Sequence, residues 1–106
     1  MTKDKNQTYT EEMGVLYEAI SRLSSPEDCR AFFEDICSVK ELHSIAQRLQ
    51  VASMLNEGQS FNAISEKTGA STATISRVSR CLSQGSGGYK KAFSMLQPPR
   101  SPSLGG

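Results

Sequence analysis

The sequence predicts an all-α fold of six helices in one domain. Apolar residues recur every three or four positions along most of the 106-residue chain, which places them on one face of an α-helix. Serines that favour helix starts and glycines that favour helix ends separate these segments. No segment alternates apolar and polar residues as a half-buried strand would, so no sheet is predicted.

The first two helices are predicted from an apolar face and a favourable start. The first begins near Thr10 and carries an apolar face that ends at Leu23. The second follows Ser25, whose hydroxyl can accept a hydrogen bond from a free backbone N–H, and Pro26, which suits the first helical position. A short break after Leu23 therefore separates two helices.

The third and the sixth helix are predicted by the same rules. Ser38 and Glu41 have the spacing of a capping box, in which each side chain bonds the backbone N–H of the other residue. The helix that follows is the longest, and Gly58 provides a left-handed stop. Further along, Tyr89 and Phe93 share one face of a short sixth helix.

The fourth and fifth helices form a predicted helix-turn-helix at residues 60–83. Ser60 can cap the first of them, and Gly69 breaks it where the chain must take a positive φ to reverse direction. Ser71 can cap the second, which is predicted at 72–83. Two helices joined by so short a turn are typical of one class of DNA-binding site.

The two faces of the helix at 72–83 differ in size and charge. The inward face, together with the preceding helix, is apolar and consists of Ile64, Ile75, Val78 and Leu82. The opposite face is small at its centre and cationic at its edge, and consists of Ala73, Ser76, Arg77 and Arg80. An ordinary solvated helix could show the same pattern, because serine and threonine are common on surfaces.

The outward face of this helix suits the DNA major groove. Bulky residues near the N-terminus would hold the backbone away from the bases, whereas small ones allow close approach. Methyl groups could contact thymine, hydroxyls could bond base edges or phosphates, and the two arginines could reach guanine or the backbone. The predicted contacts are Ser71, Thr72, Ala73, Thr74, Ser76, Arg77 and Arg80, with Ser60, Asn62 and Lys67 nearer the phosphates.

Charge is divided unevenly along the chain. Residues 1–58 carry six Lys and Arg against ten Asp and Glu, whereas residues 59–106 carry six against one. A basic half that contains the helix-turn-helix indicates binding to a polyanion. Two alternatives stay open, a helical protein-interaction module and a non-specific DNA-binding module without regulatory readout. Salt distinguishes the first of them, since DNA binding weakens steeply with ionic strength.

The same region resembles a known family. The block TGASTATISRV at 68–78, with AQRL at 46–49 upstream, closely resembles the tryptophan repressor, and residues 9–97 resemble the Trp repressor-like YerC/YecD family. Membership implies a six-helix, all-α fold in which two chains interlock through their N-terminal and C-terminal helices as a homodimer. It also implies a sequence-specific transcriptional regulator, acting as a repressor, that inserts helix 72–83 of each subunit into double-stranded DNA.

The resemblance also implies an effector pocket. Arg48 and Arg77 match the two arginines that sandwich the indole ring of bound tryptophan, and Thr74 matches a pocket threonine. Val78 stands where the repressor has a glycine that leaves room for the ring, and Cys81 replaces a serine that helps to hold the ligand's amino group. L-Tryptophan is therefore not expected as a corepressor, and the two arginines are better explained as structural or DNA-facing residues.

Other classes of function lack their usual signatures. His43 has no acid–base partner by motif, and the GSGG stretch at 85–88 joins two helices rather than following a strand, so no enzyme is predicted. The three cysteines are odd in number and include no CxxC pair. They are predicted to be buried reduced thiols, with no metal and no other cofactor.

The two ends of the sequence are polar. Residues 1–8 and the Pro, Ser and Gly-rich residues 98–106 are predicted to be disordered, which leaves 9–97 as one domain. No apolar run reaches the roughly 18 residues that a membrane span needs, and the first residues lack the apolar core of a signal peptide. We expect a cytoplasmic protein that makes no membrane contact and is associated with the nucleoid when bound to DNA.

Overall fold

The chain is helical throughout the part that the structure describes. The computed structural model describes residues 5–96. Its helices are α1 (Lys5–Ser21), α2 (Pro26–Ile36), α3 (Val39–Asn56), α4 (Phe61–Thr68), α5 (Thr72–Gln84) and α6 (Gly88–Leu96). Six helices without a strand in these residues confirm the predicted all-α fold class.

Side-chain caps begin α2 and α3 where the sequence predicts them. The Ser25 hydroxyl accepts a hydrogen bond of 3.1 Å from the backbone N–H of Asp28. At α3 the Ser38 N–H donates to Oε1 of Glu41 at 2.8 Å, and the Glu41 N–H donates to the Ser38 hydroxyl at 3.1 Å. Hydrogen bonding by the backbone and then the side chain of Ser38 holds the pKa of Glu41 below its usual value, because it favours the carboxylate.

The described residues form two compact units, of which the first extends to Leu42 and the second begins at His43. Within the first unit, no side chain that the structure describes is fully buried. Val15 and Tyr17 on α1 are 71% and 60% exposed. An apolar helix face is stable only when another element covers it, so α1 retains surface that a partner could bury.

The second unit contains the buried core. Its buried apolar residues come from α3, α4, the turn and α5, and they are Val51, Ala52, Met54, Ile64, Ala70, Ile75 and Val78. Half-buried residues from α3, α5 and α6 pack against them, namely Leu55, Leu82, Tyr89 and Phe93. The rings of Tyr89 and Phe93 stack with centroids 6.4 Å apart. The helix-turn-helix therefore packs against α3 and α6 through this core.

The start of α1 and the end of α5 differ from the predicted boundaries. Helix α1 begins at Lys5, so residues 5–8, for which disorder is predicted, are helical, and Thr10 Oγ1 donates to the Asn6 carbonyl one turn earlier. Helix α5 ends at Gln84 rather than one residue earlier. The remaining residues of both predicted tails, 1–4 and 98–106, lie outside the described residues, as does Gln97.

The prediction of three buried thiols is also wrong. Cys29 and Cys37 are half-buried, and Cys81 is exposed. On α5, Val78 and Leu82 take the positions that face the core, and this leaves Cys81 directed towards solvent.

Candidate nucleic-acid interface

Helix α4 is defined by a cap at each end. The Ser60 hydroxyl accepts a hydrogen bond of 3.1 Å from the N–H of Ala63. At the other end Gly69 takes φ 76° and ψ 4°, and its N–H donates to the Ser65 carbonyl. The left-handed region is open to glycine without a steric penalty, so the chain reverses there as predicted.

The turn between α4 and α5 is held by side chains of α4. Ala70 is only 3% exposed, so its backbone groups have little access to water. Its N–H donates to Thr68 Oγ1 at 3.1 Å, and its carbonyl accepts from Ser65 Oγ at 3.1 Å. Both polar groups of a buried turn residue are thereby satisfied, which a rigid turn requires.

One further hydrogen bond joins the turn to α3. Gln47 Nε2 donates to the carbonyl oxygen of Thr68 at 3.0 Å. Thr68 is the last residue of α4, so that carbonyl has no partner within its own helix. Gln47 therefore fastens the end of α4 to the neighbouring helix.

Sequence reasoning missed the residues that hold this turn, which are Gln47, Ser65, Thr68 and Ala70. Two hydroxyl residues in the last turn before Gly69 are a usable signal, since such side chains commonly bond nearby backbone groups. No local pattern points to Gln47, because its partner lies 21 residues along the chain.

Helix α5 starts at the cap that the sequence predicts. The Ser71 hydroxyl accepts a hydrogen bond from the Thr74 N–H at 3.1 Å and donates to Thr74 Oγ1 at 3.1 Å. The hydroxyls of Ser71 and Thr74 are thus close enough to hydrogen-bond each other at the start of α5.

The two faces of α5 are separated as predicted. Ile75 and Val78 are buried, Leu82 is half-buried, and Ile64 of α4 is fully buried against them. On the other side Ala73, Arg77 and Arg80 are exposed, and Ser76 is half-buried. The small, cationic face of the helix is therefore open to a ligand.

All residues predicted to contact DNA lie on α4, the turn and α5 or at their caps. Those exposed to solvent are Ser60, Asn62, Lys67, Ser71, Thr72, Ala73, Arg77 and Arg80. Thr74 and Ser76 are half-buried. The fold thus brings the predicted set onto one supersecondary unit, with its polar side chains at the surface.

Arg77 and Arg80 lie in a stretch of the chain without acidic residues, whereas Lys67 directly follows Glu66. Residues 67–96 contain no Asp or Glu. Within residues 5–96, Lys67, Arg77 and Arg80 form no ion pair, whereas the ion pairs described there lie on α1 and α2, at Glu18–Arg22 and Arg30–Glu34. The positive charge of this surface is therefore available to a polyanion.

The residues of the predicted effector pocket do not share one environment. Arg48 and Arg77 are exposed, Thr74 is half-buried, and Val78 is 2% exposed within the core. Cys81 lines a different depression of about 420 Å³, together with Gly85, Ser86, Gly87, Gly88, Tyr89 and Ala92. The Val78 side chain is packed in the core of the second unit, and the expectation that an indole ring does not fit beside it stays a prediction.

The described residues offer neither a cluster of metal ligands nor a membrane-spanning helix. Among residues 5–96, no three His, Cys, Asp or Glu side chains converge as metal ligands. Across the same residues, each helix is too short or too polar to cross a bilayer.

The fold and the turn geometry define a helix-turn-helix protein, and comparison with known proteins defines the family. The Trp repressor protein family matches residues 11–97. YerC from Bacillus subtilis (strain 168) is 46% identical over 86 residues, which is 81% of this chain and 83% of YerC. The chain belongs to the Trp repressor family, as its resemblance predicted.

Two solved structures have the same fold. A TrpR-like protein from Eubacterium eligens ATCC 27750 superposes with a TM-score of 0.81 at 42% identity, covering 92% of this chain and 100% of that one. A candidate Trp repressor from Staphylococcus aureus gives a TM-score of 0.80 at 36% identity, covering 94% of this chain and 100% of that one.

Proposed function

We propose that the protein is a transcriptional regulator that binds double-stranded DNA in a sequence-specific manner, as a repressor, by inserting α5 into the major groove. The observation that carries the proposal is the open face of α5, where Arg77 and Arg80 stand unpaired within the described residues beside Ala73. Membership of the Trp repressor family supports a DNA-binding regulator. A helix with this face can approach base edges closely and still reach phosphates.

The environment of each hydroxyl refines its proposed role. Thr72 and Ala73 are exposed at the start of α5 and offer methyl groups to thymine. Because the Ser71 hydroxyl caps α5, Ser71 acts mainly by holding the helix start whose remaining free N–H groups face a phosphate. Thr74 and Ser76 have less exposed hydroxyls and read only groups that come close to the helix.

The remaining proposed contacts position the helix on the DNA backbone. Ser60, Asn62 and Lys67 lie on α4 or at its cap and are exposed. Contacts to phosphate orient a protein without reading the sequence, and each phosphate neutralised by a cation adds to the salt dependence of binding. Of these three residues, Lys67 would contribute most to that dependence because it alone is charged.

Two copies of the chain form the proposed binding unit. Large apolar side chains remain exposed on α1, α3 and α6, among them Val15, Tyr17, Val39, Leu49, Met95 and Leu96. A second copy would bury such surface and would place two α5 helices at half-sites about 34–36 Å apart, one turn of DNA. We place this homodimer in the cytoplasm, on the nucleoid when it is bound.

Selection from a random pool of DNA duplexes tests the proposal. The purified protein should enrich a pseudo-palindromic sequence with half-sites separated by about one helical turn. The Kd for the enriched duplex should rise steeply with salt, and a double variant, Arg77→Ala with Arg80→Ala, should lose the enrichment while remaining folded. Recovery of no preferred sequence would reject specific regulation, and binding insensitive to salt would favour a protein-interaction module.

A further inference from the structure

The hydrogen bond between Gln47 and Thr68 links two parts of the second unit that the core joins only through apolar contacts. Gln47 is half-buried on α3, and its Nε2 lies 3.0 Å from the Thr68 carbonyl oxygen. Apolar contacts are non-directional, whereas a hydrogen bond weakens steeply as its angle departs from linear. The Gln47 side chain therefore adds a directional constraint between α3 and the end of α4 to the non-directional contacts of the core.

A chain of hydrogen bonds carries this restriction to the start of α5. Thr68 Oγ1 accepts from the Ala70 N–H, and the Ala70 carbonyl accepts from Ser65 Oγ. Ser71, the next residue, caps α5. Hydrogen bonds therefore connect α3 to the turn, and the residue after the turn's last bonded residue caps α5.

We propose that Gln47 is a positioning residue for DNA recognition, which sets the orientation of α5 relative to α3. This inference rests on the function proposed above, since it concerns how the same surface meets DNA. Base readout requires matched donor and acceptor positions, while phosphate attraction tolerates displacement. Loss of the Gln47 bond therefore lowers sequence preference while preserving general attraction to DNA.

A matched pair of variants on α3 tests this role. Gln47→Met removes the amide donor with little change in length, and Gln50→Met makes the same change at an exposed residue whose side chain forms no hydrogen bond within residues 5–96. Affinity is measured by fluorescence anisotropy for the duplex most enriched by the wild-type protein and for a scrambled duplex of equal composition. The ¹³C shift of the Thr68 carbonyl reports directly on the hydrogen bond, and circular dichroism reports on helix content.

The expected result is a loss confined to Gln47→Met. Its affinity for the enriched duplex should fall about tenfold, comparable with the loss of one base-pair contact, while its affinity for the scrambled duplex stays within about twofold. The Thr68 carbonyl shift should change without loss of helix content, and Gln50→Met should match the wild type.

Three outcomes would count against the inference in distinguishable ways. A wild-type preference that survives Gln47→Met, with the carbonyl shift changed, overturns the positioning role alone. Equal losses on both duplexes with reduced helix content assign Gln47 a purely structural role. A wild-type protein with no preference for any duplex overturns the proposed function, and this inference with it.

Discussion

Ser65 Oγ donates a hydrogen bond of 3.1 Å to the carbonyl oxygen of Ala70, across the turn that joins α4 to α5. Ala70 is buried, so this carbonyl has little access to water when the serine is absent. The turn of three residues can thus place an apolar residue in the core, because side chains of α4 bond the backbone N–H and carbonyl of Ala70.

Replacing Ser65 with alanine should destabilise the protein by about 1–3 kcal/mol, since the Ala70 carbonyl would stay buried without a donor. The measurement is urea unfolding at one fixed protein concentration. Ser83→Ala is the matched control, because the Ser83 hydroxyl bonds exposed carbonyls of α5. Its effect should stay within about 0.5 kcal/mol, and equal effects at the two positions would contradict the prediction.

Gly69→Ala should destabilise the fold by about 1–2 kcal/mol, because φ at this position is 76° and an L side chain is strained there. No atom lies within 4 Å of an added Cβ, so the cost comes from the backbone alone. Gly69→Asn is the control, since asparagine tolerates the left-handed region better than alanine does. Thermal unfolding should rank the wild type above the asparagine variant and the asparagine variant above alanine; an alanine variant as stable as the wild type would refute the argument.

Arg80→Ala and Arg77→Ala should each weaken DNA binding. If the arginine reads a base, the loss should be about 1–3 kcal/mol and preference should change at one position of the site. If it meets only phosphate, binding should weaken on all sequences and the salt slope should fall by about one. Arg22→Ala, at an ion-paired arginine on α1, provides the comparison. DNA affinity unchanged in both test variants would favour the interaction-module alternative.

Free L-tryptophan should not act as the effector. Val78 is 2% exposed and packs in the core, at the position where the resemblance expects glycine beside the ligand. Making room for an indole ring would require the packed helices to shift, at a cost of about 1–3 kcal/mol or more. Calorimetric titration to millimolar tryptophan should give no saturable heat, and DNA affinity should be equal with and without it. Micromolar binding that tightens the DNA complex would falsify this prediction.

The protein should sediment as a dimer at micromolar concentration, with about twice the chain mass of 11.5 kDa. The physical reason is the apolar surface that one chain leaves uncovered, of which Val15 at 71% and Leu96 at 71% exposure are examples. Val15→Glu should weaken association, and Glu12→Gln, a polar change at an exposed residue of the same helix, should not. A well-folded wild-type monomer at this concentration would contradict the proposal that a dimer binds two DNA half-sites.

Much of the local structure could be predicted from the sequence, because it depends on neighbours along the chain. The caps at Ser25, Ser60 and Ser71 and the stop at Gly69 each involve a residue and a backbone group at most four positions away. Helical periodicity likewise predicted that Ile75 and Val78 face the core and that Arg77 does not. Such patterns can be recognised in the sequence without knowledge of the tertiary structure.

Tertiary structure decided which of these helices pack against one another and which hydrogen bonds form between them. The hydrogen bond from Gln47 to Thr68 joins residues 21 positions apart. The sequence around either residue does not predict that the two are in contact. The exposure of Cys81 was likewise set by which side of α5 the core occupied, since valine and leucine filled the inner positions. Periodicity assigns residues to faces of a helix, but only packing of the whole chain determines what each face meets, because burial and directional hydrogen bonds between distant segments form together.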